Sequence, residues 1–97
     1  MTSIEYNIVN GTMMADVKQD CPICTMRSHV IIRGKKNVEA VQNYFWDSLA
    51  KQQDLPFKIP IREFIRSGYC RNCMEKYFGT SSADIRYVRR SKKGEII

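Results

Sequence analysis

Four cysteines, the whole cysteine content of this 97-residue chain, fall into two pairs of identical spacing, "CPIC" at 21–24 and "CRNC" at 70–73. A Cys-x-x-Cys turn brings two sulfurs to roughly the 3.7 Å separation that a tetrahedral zinc with Zn–S bonds of about 2.3 Å requires, and two such turns complete a four-thiolate shell. The spacing predicts one structural Zn2+ held by Cys21, Cys24, Cys70 and Cys73. Pro22 stiffens the first turn and so lowers the entropy lost when the site forms. Zinc affinity of this kind is folding energy, on the order of 10 kcal/mol. A chain of this length builds a core worth only a few kcal/mol, so such fastening would matter.

Three other chemistries compete for the same residues. "CPIC" resembles the active-site turn of glutaredoxin-like proteins, but "TMRSHVIIRG" after it reads as strand, and no βαβ pattern surrounds it. A disulfide pair needs an oxidising compartment. Burial of free thiols leaves the two matched spacings unexplained. His29, the single histidine, lies inside a β-branched run and is assigned a structural or surface role outside the metal shell.

The elements that must position the cysteines are legible in outline. Asn10-Gly11 is the dipeptide favoured in two-residue type I′ hairpin loops. That turn sets Ile8 opposite Met13, Tyr6 opposite Ala15 and Ile4 opposite Val17, giving one apolar face and an unfavourable Glu5–Asp16 pairing. The hairpin feeds directly into Cys21, and "HVIIRG" leaves the first pair as a short strand. Asn37 as N-cap, Glu39 near the positive end of the dipole, and Val38, Val41, Phe45 and Leu49 at helical spacing predict a helix over 38–52, with Tyr44 and Trp46 packed at the core edge. Pro60 and Gly68 bracket a second helix that buries Ile61, Phe64 and Ile65. A third, about 72–78, ends at Gly79. "IRYVRR" is read as a last strand or the start of a basic tail. The expected fold class is α+β: one zinc-stapled domain over 1–97, an N-terminal β-hairpin plus short strands with two or three helices, residues 89–97 forming a flexible basic tail.

The order of parts resembles the treble-clef and zinc-ribbon type of zinc-binding domain: a Cys-x-x-Cys knuckle after a strand, a following strand, and a second pair at the start of the helix "MEKYF". Thr25 stands where such knuckles often carry glycine, and 45 residues separate the pairs, more than a simple hairpin needs. Treble clefs include the HNH-type nucleases, whose catalytic metal is held by histidines. With one histidine and no paired-carboxylate motif, this chain lacks that general base and those ligands, and it is expected not to be an enzyme.

Composition bounds the partners. At 43% hydrophobic and 27% charged, the chain reads as an ordinary globular protein, with no run of the roughly 20 apolar residues that span a bilayer. The N-terminus has no secretory pattern, so a cytoplasmic location and no membrane partner are expected. The net charge of +6 is uneven: residues 1–20 hold Glu5, Asp16 and Asp20 against Lys18 alone. Arg62, Arg66, Arg71, Lys76, Arg86, Arg89, Arg90, Lys92 and Lys93 gather around the second pair and beyond it, interleaved with Tyr69, Tyr77 and Tyr87. This pattern predicts binding to nucleic acid, DNA or RNA, in a regulatory role such as transcription control, with modest sequence specificity because no reading helix is present. The alternative is a protein-interaction module whose basic surface meets an acidic one, docking on a nucleic-acid enzyme such as RNA polymerase with Trp46, Phe57 or Phe78 as anchors. No small-molecule substrate is indicated.

Overall fold

The computed structural model describes residues 2–47, 49, 51 and 55–88. Four strands, β1 (Ser3–Val9), β2 (Thr12–Asp20), β3 (Arg27–Arg33) and β4 (Arg86–Tyr87), form one antiparallel sheet in the order β1-β2-β3-β4. Three helices, α1 (Lys35–Trp46), α2 (Ile59–Ser67) and α3 (Arg71–Phe78), complete an α+β architecture. No described helix is long and apolar enough to cross a membrane.

The first hairpin follows from its turn. Asn10 and Gly11 both take positive φ, 50° and 81°, as a type I′ loop demands. The register is the expected one, Ile8 to Met13, Tyr6 to Ala15 and Ile4 to Val17. It does set Glu5 against Asp16. The structure supplies compensation: Lys18 Nζ lies 3.0 Å from Glu5 and 3.9 Å from Asp16, and His29 Nδ1 lies 2.8 Å from the Asp16 carboxylate.

Alternation along β2 and β3 turns Ala15, Val17, Val30 and Ile32 inward, where they meet Val38 and Val41 of α1, Ile61, Phe64 and Ile65 of α2, Met74 of α3, and Ile85. α1 and α2 pack on this face, and the opposite face, carrying Lys18, His29, Ile31 and Arg33, is left without a covering helix among the described residues.

The first helix differs from the expectation at both ends. It runs 35–46 instead of 38–52, with Gly34 at the N-cap, and Asn37 turns its amide to the Arg33 carbonyl. Asp47 ends it: the residue is extended, at φ −99° and ψ 111°, and its carboxylate accepts the Leu49 N–H at 2.9 Å. This local side-chain turn competes successfully with the helical ladder. Leu49 and Trp46 are consequently 83% and 89% exposed, so neither packs on the core as the periodicity implied, while Tyr44 does. The other two helices follow their punctuation, Pro60 in the first turn of α2 and αL glycines at Gly68 and Gly79. The last strand is two residues long, and Arg89, Arg90, Lys92, Lys93 and the expected tail 89–97 lie outside the described residues.

Candidate metal centre

The first cysteine pair closes the β2–β3 hairpin. Beyond the Asp20–Arg27 pair the ladder continues through Cys21 N–H to the Met26 carbonyl at 2.9 Å, and Thr25 N–H returns to the Cys21 carbonyl at 2.9 Å. The knuckle turns at Thr25, whose φ is 66°. A β-branched residue in the left-handed region is strained. Thr25→Gly is expected to raise stability by about 1 kcal/mol, the relief of strain exceeding the added chain entropy. A shift of the denaturant midpoint at constant slope would register it.

The second pair is set by α3. Cys70 is its N-cap, extended at φ −72° and ψ 165°, and its sulfur accepts the Cys73 N–H at 3.4 Å. The helix therefore begins at the site, where its positive end favours thiolate.

Two residues join these arms. Buried Gln19, just before the knuckle, donates from its amide to the Ile65 carbonyl at 2.8 Å and to the Phe64 carbonyl at 3.4 Å, the latter also accepting the Gly68 N–H of the helix cap at 2.8 Å. Gly68, in the αL cap of that helix, lies so close to β2 that an added Cβ would meet the Asp20 carbonyl oxygen and Gln19 Cβ, each at 3.0 Å. Cys70 follows two residues later.

The result is a compact group of four sulfurs. Cys21, Cys24, Cys70 and Cys73 offer Sγ atoms that all lie within 4.8 Å of one another, with Cys24 and Cys70 at 3.5 Å and none in a disulfide. Cys21, Cys70 and Cys73 are buried and Cys24 is exposed. The spacing fits the sulfur tetrahedron of a single metal ion, and the group could hold one. Its electrostatics favour a cation. Burial raises the Cys21 thiol, but N–H groups of Cys24, Cys70 and Ile23 outweigh it and bring it down to about 7. At Cys70 burial is likewise outweighed, by the Tyr87 hydroxyl and the Cys73 N–H. Cys73 is pushed up to about 12 by burial and then by the neighbouring sulfurs. At Cys24 the Met26 N–H lowers the thiol, yet desolvation and the Cys70 sulfur leave it raised. Two thiols are thus lowered and two raised, and a divalent ion would favour the thiolate form at all four.

Tyr87 packs on the cluster, and its hydroxyl oxygen accepts the Asn72 N–H at 3.1 Å. Burial and the adjacent Cys70 push its phenol up to about 12. Tyr69 packs on the core and meets Phe78 edge to face at 5.0 Å between ring centroids. Of the three interleaved tyrosines, Tyr77 alone is exposed, with Lys76 Nζ 5.3 Å from its ring centre. His29 stands on β3 with Asp16, outside the sulfur group.

The described residues of the expected basic surface are spread over α2, α3 and β4. Arg66 is paired with Glu63 at 3.4 Å, and the Nε of Arg62 is buried without a hydrogen-bond partner. Arg71 sits inside the second turn. Arg86 lies opposite His29 on the uncovered sheet face, where His29, Ile31, Arg33, Asp84 and Arg86 line a cleft of about 200 Å3. Arg33 was not picked out by sequence reasoning. The alternation of "RSHVIIR" placed it on that face, but the neighbouring Arg86 depends on a two-residue strand whose pairing joins Ser28 to Tyr87 and His29 to Arg86, far apart in the chain. No protein-family model, curated protein or solved structure matches the chain.

Proposed function

We propose that the four cysteines hold one structural Zn2+ and that the zinc-fixed turns present a basic surface to nucleic acid, DNA or RNA, in a regulatory role. The uneven neutralisation of charge carries this reading. Lys18, Arg27 and Arg66 each have a carboxylate within ion-pair distance, whereas Arg71, Arg86 and Arg33 have none among the described residues. Arg71 lies within the clasp and Arg86 beside Tyr87, which packs on it, while Arg33 stands at the far end of β3; unpaired guanidinium groups favour phosphate contacts, which provide most nucleic-acid affinity with little dependence on sequence. The order of knuckle, strand and helix-capping cysteine supports a treble-clef-like core in which the segment carrying α1 and α2 is an elaboration. Catalysis plays no part in this proposal.

Binding of a random-sequence duplex should weaken linearly on a log–log salt plot, and the double variant Arg71→Ala/Arg86→Ala should flatten that slope by about 2. Absence of binding at low salt, or a slope near zero in the parent protein, would overturn the proposal.

A different observation favours the protein-docking alternative, an interaction with an enzyme such as RNA polymerase: Trp46, at the end of α1, is 89% exposed beside half-exposed Phe45. Large aromatic side chains are common interface anchors. Copurification of a stoichiometric protein that is lost in Trp46→Ala, without salt-sensitive nucleic-acid binding, would select it.

A further inference from the structure

We propose that β1 is the interface of a symmetric homodimer, two copies pairing their β1 strands antiparallel about Tyr6 to join two four-stranded sheets into one. The backbone is set up for this pairing. The two-residue turn makes Val9 and Thr12 a hydrogen-bonded pair, so that Asn7, Glu5 and Ser3 are the further residues of β1 bonded to β2. Ile4, Tyr6 and Ile8 therefore aim their N–H and C=O groups at the open edge. Met13, opposite Ile8, shows the same alternation by giving its carbonyl to Gly34 N–H on its other side at 2.8 Å.

The strand carries none of the usual protection of an edge. Its seven residues pair regularly, with no proline, lysine or bulge and a single charge, Glu5. Its sequence "IEYNI" is self-complementary when reversed. Pairing about Tyr6 sets Ile4 against the partner's Ile8 and Tyr6 against the partner's Tyr6, and it brings Glu5 to the partner's Asn7 instead of to a like charge.

Side chains agree with the backbone. Tyr6 and Ile8 share the helix-side face but are 44% and 71% exposed, because α1 covers β2 and β3 and stops short of β1. With Asn7, Met13 and Gln42 they line an open cleft of about 410 Å3. The second copy would lay its own Ile–Tyr–Ile stripe along that cleft's edge. Charge distribution also selects this side of the molecule for contact between like copies. Residues 1–20 hold three acidic side chains against one lysine, whereas residues 21–97 hold fifteen basic against seven acidic ones. Contact through the segment 1–20 keeps the positive excess of the rest of the chain out of the interface.

Sedimentation of the zinc-loaded full chain should give twice the 11.3 kDa chain mass at micromolar concentration. Tyr6→Lys, which opposes two lysines across the two-fold axis, should weaken the dimer at least tenfold, by order of magnitude. Asn7→Lys, facing Glu5 of the other copy, should tighten it. Amides of Ile4, Tyr6 and Ile8 should be protected from hydrogen exchange and lose protection on dilution. These last two measurements hold even if Tyr6→Lys unfolds. A chain sedimenting at 11.3 kDa throughout, including one whose β1 edge is occupied only by an extended peptide of another protein, would overturn the proposal. So would a dimer unmoved by either lysine.

Discussion

Cys24→Ser is expected to cost several kcal/mol, enough to leave the chain largely unfolded at 25 °C, although Cys24 is an exposed residue. Burial alone predicts the reverse. A polar substitution at an exposed site is worth about 0.5 kcal/mol or less, while the buried thiols of Cys21 and Cys70 would each cost about 1–3 kcal/mol as serine. If the four sulfurs share a zinc, exposure is irrelevant, because each ligand supports the same ion and removing any one forfeits most of an interaction worth on the order of 10 kcal/mol. That exceeds the stability expected of so small a core. The four single variants should accordingly behave alike in thermal unfolding and in metal content. A graded series that follows burial, with Cys24→Ser near the parent, would show that the thiols are only packed.

Gly68→Ala is the second large effect, expected at about 2–4 kcal/mol with a parallel loss of metal affinity. Two causes combine. The residue sits at φ +85°, where an L side chain pays strain, and its new methyl would meet the Asp20 carbonyl oxygen and Gln19 Cβ at 3.0 Å. The backbone must move, and it moves where Gln19 ties the end of α2 to the strand leading into Cys21. The knuckle and the α3 cap would then lose register with one another. Gly79→Ala is the natural control, since its φ of +72° is similar but nothing lies within 4 Å of its added Cβ. It should cost only about 1 kcal/mol and leave metal affinity intact. Equal effects of the two substitutions on zinc binding would remove the close approach as the cause.

Most of what positions the cysteines was legible because it rests on local rules. Asn10-Gly11 fixes a hairpin register that the structure reproduces pair for pair, and Pro60 and Gly68 delimit α2 through their own backbone preferences. The matched cysteine spacings foretold a sulfur group assembled across 46 residues. Where a side chain overrode a periodicity, legibility failed: Asp47 turns the chain away from the helix that Leu49 would have extended. The tie between the two arms was also hidden. Gln19 is a polar residue in a strand, and only the arrival of α2 from 45 residues away gives its amide the two carbonyls that justify burial. The basic residues divided for a similar reason. Arg66 finds a carboxylate one helical turn back, whereas Arg71 and Arg86 have none within ion-pair distance among the described residues.

Metal analysis of the purified protein, coupled to unfolding in chelator, tests the central claim most directly. The four-thiolate centre predicts one equivalent of zinc per chain, and loss of the cooperative unfolding transition when that zinc is withdrawn. A metal-free protein, or a quadruple Cys→Ser variant, that still unfolds cooperatively near the parent midpoint would contradict it.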